Sequence, residues 1–371
     1  MSAPGYSLRR DWLLWTLAGV LLLLSVLRPA AIRNYPLLVD WPTIETLAGL
    51  LLLTSGIEAS GLLHKLAVRI VARVHDGRSL ALVLVGASAA LAAVLTNDIA
   101  LFIVIPLTLT LSSYAHLPVA RLVAFEALAV NVGSMLTPIG NPQNIFLWQS
   151  SGTHFFGFMA AMLAPTLIAA ICLLGFTLTA FQARPLTLAG AADDAPIDRR
   201  MVAVSASLFV PFIVAADLRY AGYALLVVAV LFLALFRPVL RRLDWPLLLV
   251  FVLMFVDLRL LAALPTVTAS LVAADLSRSS HVYLAGALLS QLISNVPTTI
   301  LLANYSSDWK SLAWGVDMGG FGLAVGSLAN LIALRLAGPR ANLTAFHAWA
   351  APFLLLAGGL TYIWMLVRGG G

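Results

Sequence analysis

Two short polar segments carry the residue types that could handle ions. In the first, Leu95-Thr96-Asn97-Asp98-Ile99 is followed by Asn131-Val132-Gly133-Ser134-Met135-Leu136-Thr137-Pro138-Ile139-Gly140-Asn141-Pro142-Gln143-Asn144. In the second, Ile293-Ser294-Asn295-Val296-Pro297 is followed by Asp317-Met318-Gly319-Gly320-Phe321-Gly322-Leu323-Ala324-Val325-Gly326-Ser327-Leu328-Ala329-Asn330. Asn, Ser and Thr side chains donate and accept hydrogen bonds without a fixed charge. A helix unwound at Gly and Pro exposes carbonyls that can coordinate a cation, and the N-terminus of the half-helix beyond aims N–H dipoles at an anion. Asp98 and Asp317 add the only carboxylates in these two segments, which makes them the candidates for coupling to a sodium ion or a proton; a structural hydrogen-bond role is the alternative.

The segments read as divergent copies. One shift superposes Asn131 on Asp317, Gly133 on Gly319, Gly140 on Gly326 and Asn144 on Asn330, and a slightly larger one puts Asn97 on Asn295. Around them the chain is 61% hydrophobic and 10% charged, with a mean hydropathy of +0.98, too apolar to coat a soluble globule. The chain is therefore expected to be an all-α polytopic membrane protein. Polar, Gly/Pro-rich peptide survives in hydrocarbon only when buried in protein or lining a watery cavity, and two matched interruptions in two halves point to the binding site of a secondary transporter. The formal charge of +6 and pI near 9.8 come from basic residues in short loops between apolar spans, with no basic patch interleaved with aromatics, so nucleic acid is not expected as a partner. The single cysteine, Cys172, lies in an apolar run and reads as a packing residue. Arg9-Arg10 before an apolar run resembles a secretory signal, but no small-residue cleavage site follows Leu27, and a retained first span is expected.

Length and apolarity predict spans over 12–28, 43–58, 121–150, 157–181, 200–216, 221–236, 245–261, 311–338 and 346–367, nine crossings in all. The stretch 80–113 would extend about 51 Å as one helix, against a hydrocarbon core of about 30 Å. Splitting it at Thr96-Asn97-Asp98 gives a re-entrant helical hairpin, and 281–305 repeats the pattern with Ser294-Asn295-Val296-Pro297 at its tip; two complete crossings per segment give the same parity. Residues 1–181 then form a first repeat (hairpin 80–113, broken helix 121–150), 182–220 a linker with an extra span, and 221–371 a second repeat (hairpin 281–305, broken helix 311–338). The odd number of crossings before 221 makes the two repeats inverted. With the N-terminus in the cytoplasm, most of the 22 Lys and Arg residues fall on the cytoplasmic side, and the C-terminus is periplasmic. Asp40-Trp41-Pro42 and Asp244-Trp245-Pro246 mark equivalent helix starts, with Asp as cap and Pro in the first turn. Residues 64–78, with Lys65, Arg69 and Arg73 at helical spacing, read as an interfacial helix.

The Thr-Asn-Asp tip, the run Glu126-Ala127-Leu128-Ala129-Val130-Asn131 leading into Gly133 to Asn144, and Gly326-Ser327-Leu328-Ala329-Asn330 resemble the anion permeases of the arsenite-permease and sodium/proton-antiporter (ArsB/NhaD) branch of the ion transporter superfamily, to which citrate transporters belong. The likeness covers nearly the whole chain and is greatest to short bacterial inner-membrane permeases of unassigned substrate. It implies a scaffold domain, a moving transport domain with two hairpins and two broken helices, elevator-type alternating access, a homodimer and a location in the bacterial cytoplasmic membrane among its lipids. By position, the resemblance assigns Thr96, Asn97, Asp98, Ser294, Asn295 and Pro297 to the substrate and ion tips. It assigns Asn131, Thr137, Pro138, Gly140, Asn141, Asn144, Asp317, Gly326, Ser327 and Asn330 to the broken helices. Related divalent-anion sodium symporters carry Ser-Asn-Thr at both tips, and this chain departs from that pattern with Asp98 at one and Val296 at the other.

Other ionisable groups have plainer expected roles. Glu126 is placed to cap or to pair with Arg121, Asp257 and Arg259 to pair or to snorkel, and Glu45 and Glu58 to anchor span ends. The histidines are scattered without metal spacing, and nucleophile motifs are lacking, so no enzyme and no cofactor beyond a coupling Na+ or H+ is expected. The leading reading is a cation- or proton-coupled secondary transporter of a small anion. A sodium/proton antiporter on the same fold and, as a different class, an anion channel are the alternatives.

Overall fold

The computed structural model describes residues 12–63, 65, 66, 74, 76–112, 117–185 and 196–368, and these are helical apart from loops and one isolated bridge between Asp76 and Pro185. Helix α1 (Trp12–Leu27) bends by 119° at Pro29 into a short helical stretch ending at Leu38, followed by α2 (Trp41–Ala59). A first hairpin, α3 (Gly77–Val94) and α4 (Asn97–Leu111), leads to a first broken helix, α5 (Val119–Met135) and α6 (Pro142–Ser151), and to the long α7 (Phe155–Ala180). After α8 (Arg199–Asp217) and α9 (Ala221–Leu235), the order recurs: α10 (Trp245–Ala262), hairpin α11 (Ser279–Ile293) and α12 (Asn295–Leu302), broken helix α13 (Trp309–Gly319) and α14 (Leu328–Ala337), and a last long helix α15 (Leu343–Val367).

The split of 80–113 falls where the sequence puts it, because Leu95 and Thr96 adopt extended backbone between α3 and α4. The nine expected spans do not all appear as long helices. Five of the described helices (α3, α7, α8, α10 and α15) are long and apolar enough to cross a membrane singly, or six spans if α1 and its bent continuation count as one. The expected spans 121–150 and 311–338 are each two helices: the first is interrupted at Thr137-Pro138-Ile139-Gly140 by Pro, Gly and the Asn141 cap, the second over Phe321 to Gly326 by its glycines. The expected interfacial helix over 64–78 lies largely outside the described residues.

The paired helix starts have matching chemistry. Asp40 Oδ1 accepts from Thr43 N at 3.1 Å, and Asp244 Oδ1 from Leu247 N at 3.0 Å. In each, the following Trp donates from Nε1 to a carbonyl five residues back, Trp41 to Pro36 and Trp245 to Leu240. On one side of the molecule, α2 lies against α8 and α9, with Gly49 directly under the Phe212 ring, where a Cβ would stand 2.0 Å from the ring. On the other, α7 is gripped by both halves. Arg78 Nε donates to Phe181 O at 2.9 Å and Arg121 to Ala180 O at 2.6 Å, while Trp314 Nε1 donates to Ala161 O at 3.1 Å and Trp309 stacks on Phe158 at 5.3 Å.

Candidate functional site

Both hairpin tips are built by the same local device. Asn97 begins α4, and its Oδ1 accepts from Asp98 N at 2.9 Å; Asn295 begins α12, and its Oδ1 accepts from Val296 N at 3.0 Å. Each Asn thereby satisfies one of the N–H groups that a helix start leaves without an intrahelical partner. Asn97 N also donates to Gly140 O at 2.9 Å, which docks the first tip on the first break. At the second tip, Ser294 has φ of +71°, a left-handed backbone uncommon for a side-chain-bearing residue, and Pro297 sits in the first turn beyond it. Thr96, Asn97, Asp98 and Asn295 are all buried.

The breaks interlock across the molecule. Asn141 caps α6, its Oδ1 accepting from Asn144 N at 2.8 Å, and its Nδ2 reaches the other half to donate to Asp317 Oδ1 at 3.2 Å. Gln143 Nε2 donates to the same Asp317 oxygen at 3.0 Å. In the reverse direction, Asn131 Nδ2 donates to Asn330 Oδ1 at 2.8 Å and Ser327 Oγ to Asn131 Oδ1 at 3.0 Å. Asn330 Nδ2 closes its own break by donating to Gly320 O at 2.8 Å, and Asn144 Nδ2 does so through the carbonyls of Ser134, Met135 and Thr137. Glycine is required where backbones touch. A Cβ on Gly133 would stand 1.9 Å from Ala89 O of the hairpin, and one on Gly140 would stand 2.3 Å from Ser134 O across the break. Pro138 lies in the turn of that first break, and Gly326 ends the second.

Several buried oxygens at the first tip and the two breaks have no donor. Thr96 Oγ1, Gln143 Oε1, Asn144 Oδ1 and Asp317 Oδ2 are buried without a hydrogen-bond partner. Each such atom costs free energy, on the order of 1–3 kcal/mol or more for a charged group. Asp98 is also buried, but its carboxylate makes no hydrogen bond among the described residues and is not part of the cross-linked cluster. The structure thus brings Asn131, Asn141, Asn144, Asp317, Ser327 and Asn330 into one bonded network, docks Asn97 on its edge through Gly140, and puts Asn295 Nδ2 beside Gly320, 3.3 Å from where a Cβ would lie. Thr137 points elsewhere, donating to Ala93 O of the hairpin at 2.8 Å.

Three residues outside the expected set hold this geometry. Gln143, inside the Asn-Pro-Gln-Asn motif, binds Asp317; Ser134 Oγ and O are within reach of Asn141; and Gln291 on α11 donates to Gly319 O and accepts from Leu323 N at 2.8 Å. Two pairings differ from expectation. Glu126 is fully buried and accepts from Thr108 of the hairpin, not from Arg121, which turns to Ala180 O and lies over the Phe181 and Trp349 rings. Asp257 is buried with neither oxygen bonded, because Arg259, two residues on and so on a different helix face, turns to Leu38 O at 2.8 Å and to Asp40 at 3.9 Å.

Polytopic helices with two hairpins and two broken helices meeting in a buried polar network define a membrane transport protein. The sequence profile of the family described as "Citrate transporter" matches residues 3–317, and the chain belongs to that family. It is 43% identical to the inner membrane protein YbiR of Escherichia coli over 346 residues, 93% of this chain and 92% of that one. An uncharacterized transporter of Methanocaldococcus jannaschii is 27% identical over 351 residues, 94% of this chain and 92% of its own. Among solved structures, the YdaH transporter of Alcanivorax borkumensis shares the fold, with a TM-score of 0.55 at 17% identity, covering 97% of this chain and 98% of that one.

Proposed function

We propose that this protein is a secondary active transporter of a small anion, driven by a coupled sodium ion or proton and working by elevator-type alternating access as a homodimer in the bacterial cytoplasmic membrane. The observation that carries the reading is the set of donor-less buried oxygens, Thr96 Oγ1, Gln143 Oε1, Asn144 Oδ1 and Asp317 Oδ2, at a tip and two breaks. Hard oxygen acceptors, one of them a carboxylate oxygen, suit a small cation, which supplies the positive charge those atoms lack. The starts of α6 and α14 offer N–H groups to an anion, so cation and anion neutralise one another in one transported load. Donors that carry no fixed charge suit carboxylates, oxyanions and arsenite-like solutes alike.

Proteoliposomes test this directly. Uptake of labelled di- and tricarboxylates and of inorganic oxyanions is measured under an inward sodium gradient, an inward proton gradient and neither. Saturable uptake that accumulates against a gradient only when one of the two ions is supplied is the expected result. Non-saturating flux that never exceeds equilibrium would make the protein a channel, and sodium-driven proton movement without any solute would make it a sodium/proton antiporter.

A further inference from the structure

Away from the central network, a cavity of about 370 Å³ opens between α7, the first turns of α13 and the end of α15. It exists because α7 presents Ala160, Ala161 and Ala164, side chains too small to fill the space between neighbouring helices. Trp314 crosses it to donate to Ala161 O and meets Trp364 edge-on at 5.2 Å. Two exposed cations line the same space, Lys310 and Arg368, the guanidinium lying 5.1 Å from the Trp364 ring centre. The one carboxylate present, Asp308, is already engaged: Oδ2 accepts from Ser279 Oγ at 2.6 Å and Oδ1 from Ser311 N at 3.2 Å. Among the described residues neither Lys310 nor Arg368 forms an ion pair.

We propose that this cavity binds the headgroup of an anionic glycerophospholipid, with the phosphate between Lys310 and Arg368. Three features select a lipid over a free anion. Indoles beside basic side chains at helix ends are the arrangement that sits at headgroup level in a bilayer. The volume exceeds what a bare phosphate needs and suits a headgroup with its glycerol. Next to Ala164, α7 exposes Leu163 and Leu167, giving an acyl chain an apolar track away from the cavity. Asp308, fixed by its two donors, repels the anion from the α11 side and biases it toward the two cations.

The test uses the full chain in mild detergent, delipidated, with thermal-melt midpoints read after adding phosphatidylglycerol, phosphatidylcholine or millimolar inorganic phosphate. Phosphatidylglycerol should raise the midpoint by about 3–5 °C and the other two by little. The double substitution Lys310→Gln with Arg368→Gln, at exposed positions that leave the fold intact, should remove most of that rise, and Ala164→Leu, which narrows the cavity, should reduce it with both cations in place. Equal stabilisation by phosphatidylcholine, equal stabilisation by inorganic phosphate, or an undiminished rise in the double variant would each overturn the proposal. None of these readouts depends on transport, so they stand apart from the reading of the central site.

Discussion

The first break and the second break perform the same task with their partners exchanged. At the pair of positions where hairpin meets break, the first half uses the side chain of the break, Thr137 Oγ1 donating to Ala93 O, while the second uses the side chain of the hairpin, Gln291 Oε1 accepting from Leu323 N. At the centre, the first half's helix offers an amide, Asn131, to Ser327 and Asn330, and the second half's helix offers a carboxylate, Asp317, to Asn141 and Gln143. A carboxylate therefore stands on one side where an amide stands on the other, and the partners match only in part: Ser327 and Asn141 are equivalent, whereas Asn330 and Gln143 are not. The tips differ too, with Asp98 opposite Val296, and so do the hairpin arms, which run 18 and 15 residues in the first and 15 and 8 in the second. The lesson is that backbone docking tolerates a change in which side brings the side chain, whereas the ionic character of the centre depends on a single Asn-to-Asp difference.

The sharpest way to break that comparison is to make the halves alike. Asn131→Asp should place a second carboxylate in the network at a cost on the order of 3 kcal/mol or more, so that little folded protein is recovered by size-exclusion chromatography. Combining it with Asp317→Asn, which moves the charge instead of adding one, should restore much of the yield; no recovery would show that the two contacts are not equivalent. Next in size, Asp317→Asn alone should lower coupled uptake by roughly 10- to 100-fold, the loss of hydrogen bonds to a charged group, and should flatten its dependence on sodium or pH. Asp98→Asn should slow uptake only a few-fold and keep that dependence; the opposite ranking of the two variants would transfer the coupling role to the tip.

Smaller effects test the contacts between hairpin and break. Thr137→Ala and Gln291→Ala should each cost about 1 kcal/mol, lowering the melting midpoint by roughly 2–4 °C, with the Gln291 variant the worse because it leaves both Gly319 O and Leu323 N unsatisfied. The smallest effect concerns the start of the first hairpin. The Ser79 hydroxyl, with the backbone N–H groups of Ser79 and Arg78, holds the Asp76 carboxyl below its ordinary range, so the cap is present at neutral pH and is lost as pH falls through that lowered value. Hydrogen exchange at Arg78 and Ser79 should quicken relative to neighbouring amides in Asp76→Ala, and unchanged protection would show that the cap is idle.

Much of this arrangement was legible in residue types alone. Asp-Trp-Pro announced two capped helix starts, Thr-Asn-Asp and Ser-Asn-Val-Pro announced two tips, and Gly140 with Asn141-Pro142 announced a break, because Pro, Gly and side-chain caps act within a few residues of themselves. What one copy did not reveal was any contact whose partner changed between halves. Gln291 corresponds to Ala93 and Gln143 to Ala329, so neither stood out when the copies were matched, although both proved to hold a break in place. Glu126 and Asp257 depart from expectation for another reason: the nearest cation in sequence is not the nearest in space, because helix geometry turns Arg121 and Arg259 away.

The grip on α7 has a consequence for how the chain is made. Arg78 and Arg121 come before α7 in the chain, so its C-terminal end can be clasped as soon as it leaves the ribosome. At its opposite end Phe155 N donates to Asp217 and the Phe155 ring meets Trp148, but the partners of Phe158 and Ala161, Trp309 and Trp314, come more than a hundred residues later. Until they are synthesised, the Phe158 ring lacks its stacking partner and Ala161 O its indole donor. Insertion and assembly are thus separate events in the birth of this protein, and a chain halted before residue 309 would sit in the bilayer with α7 fastened at both ends and its alanine face still waiting for its indole cover.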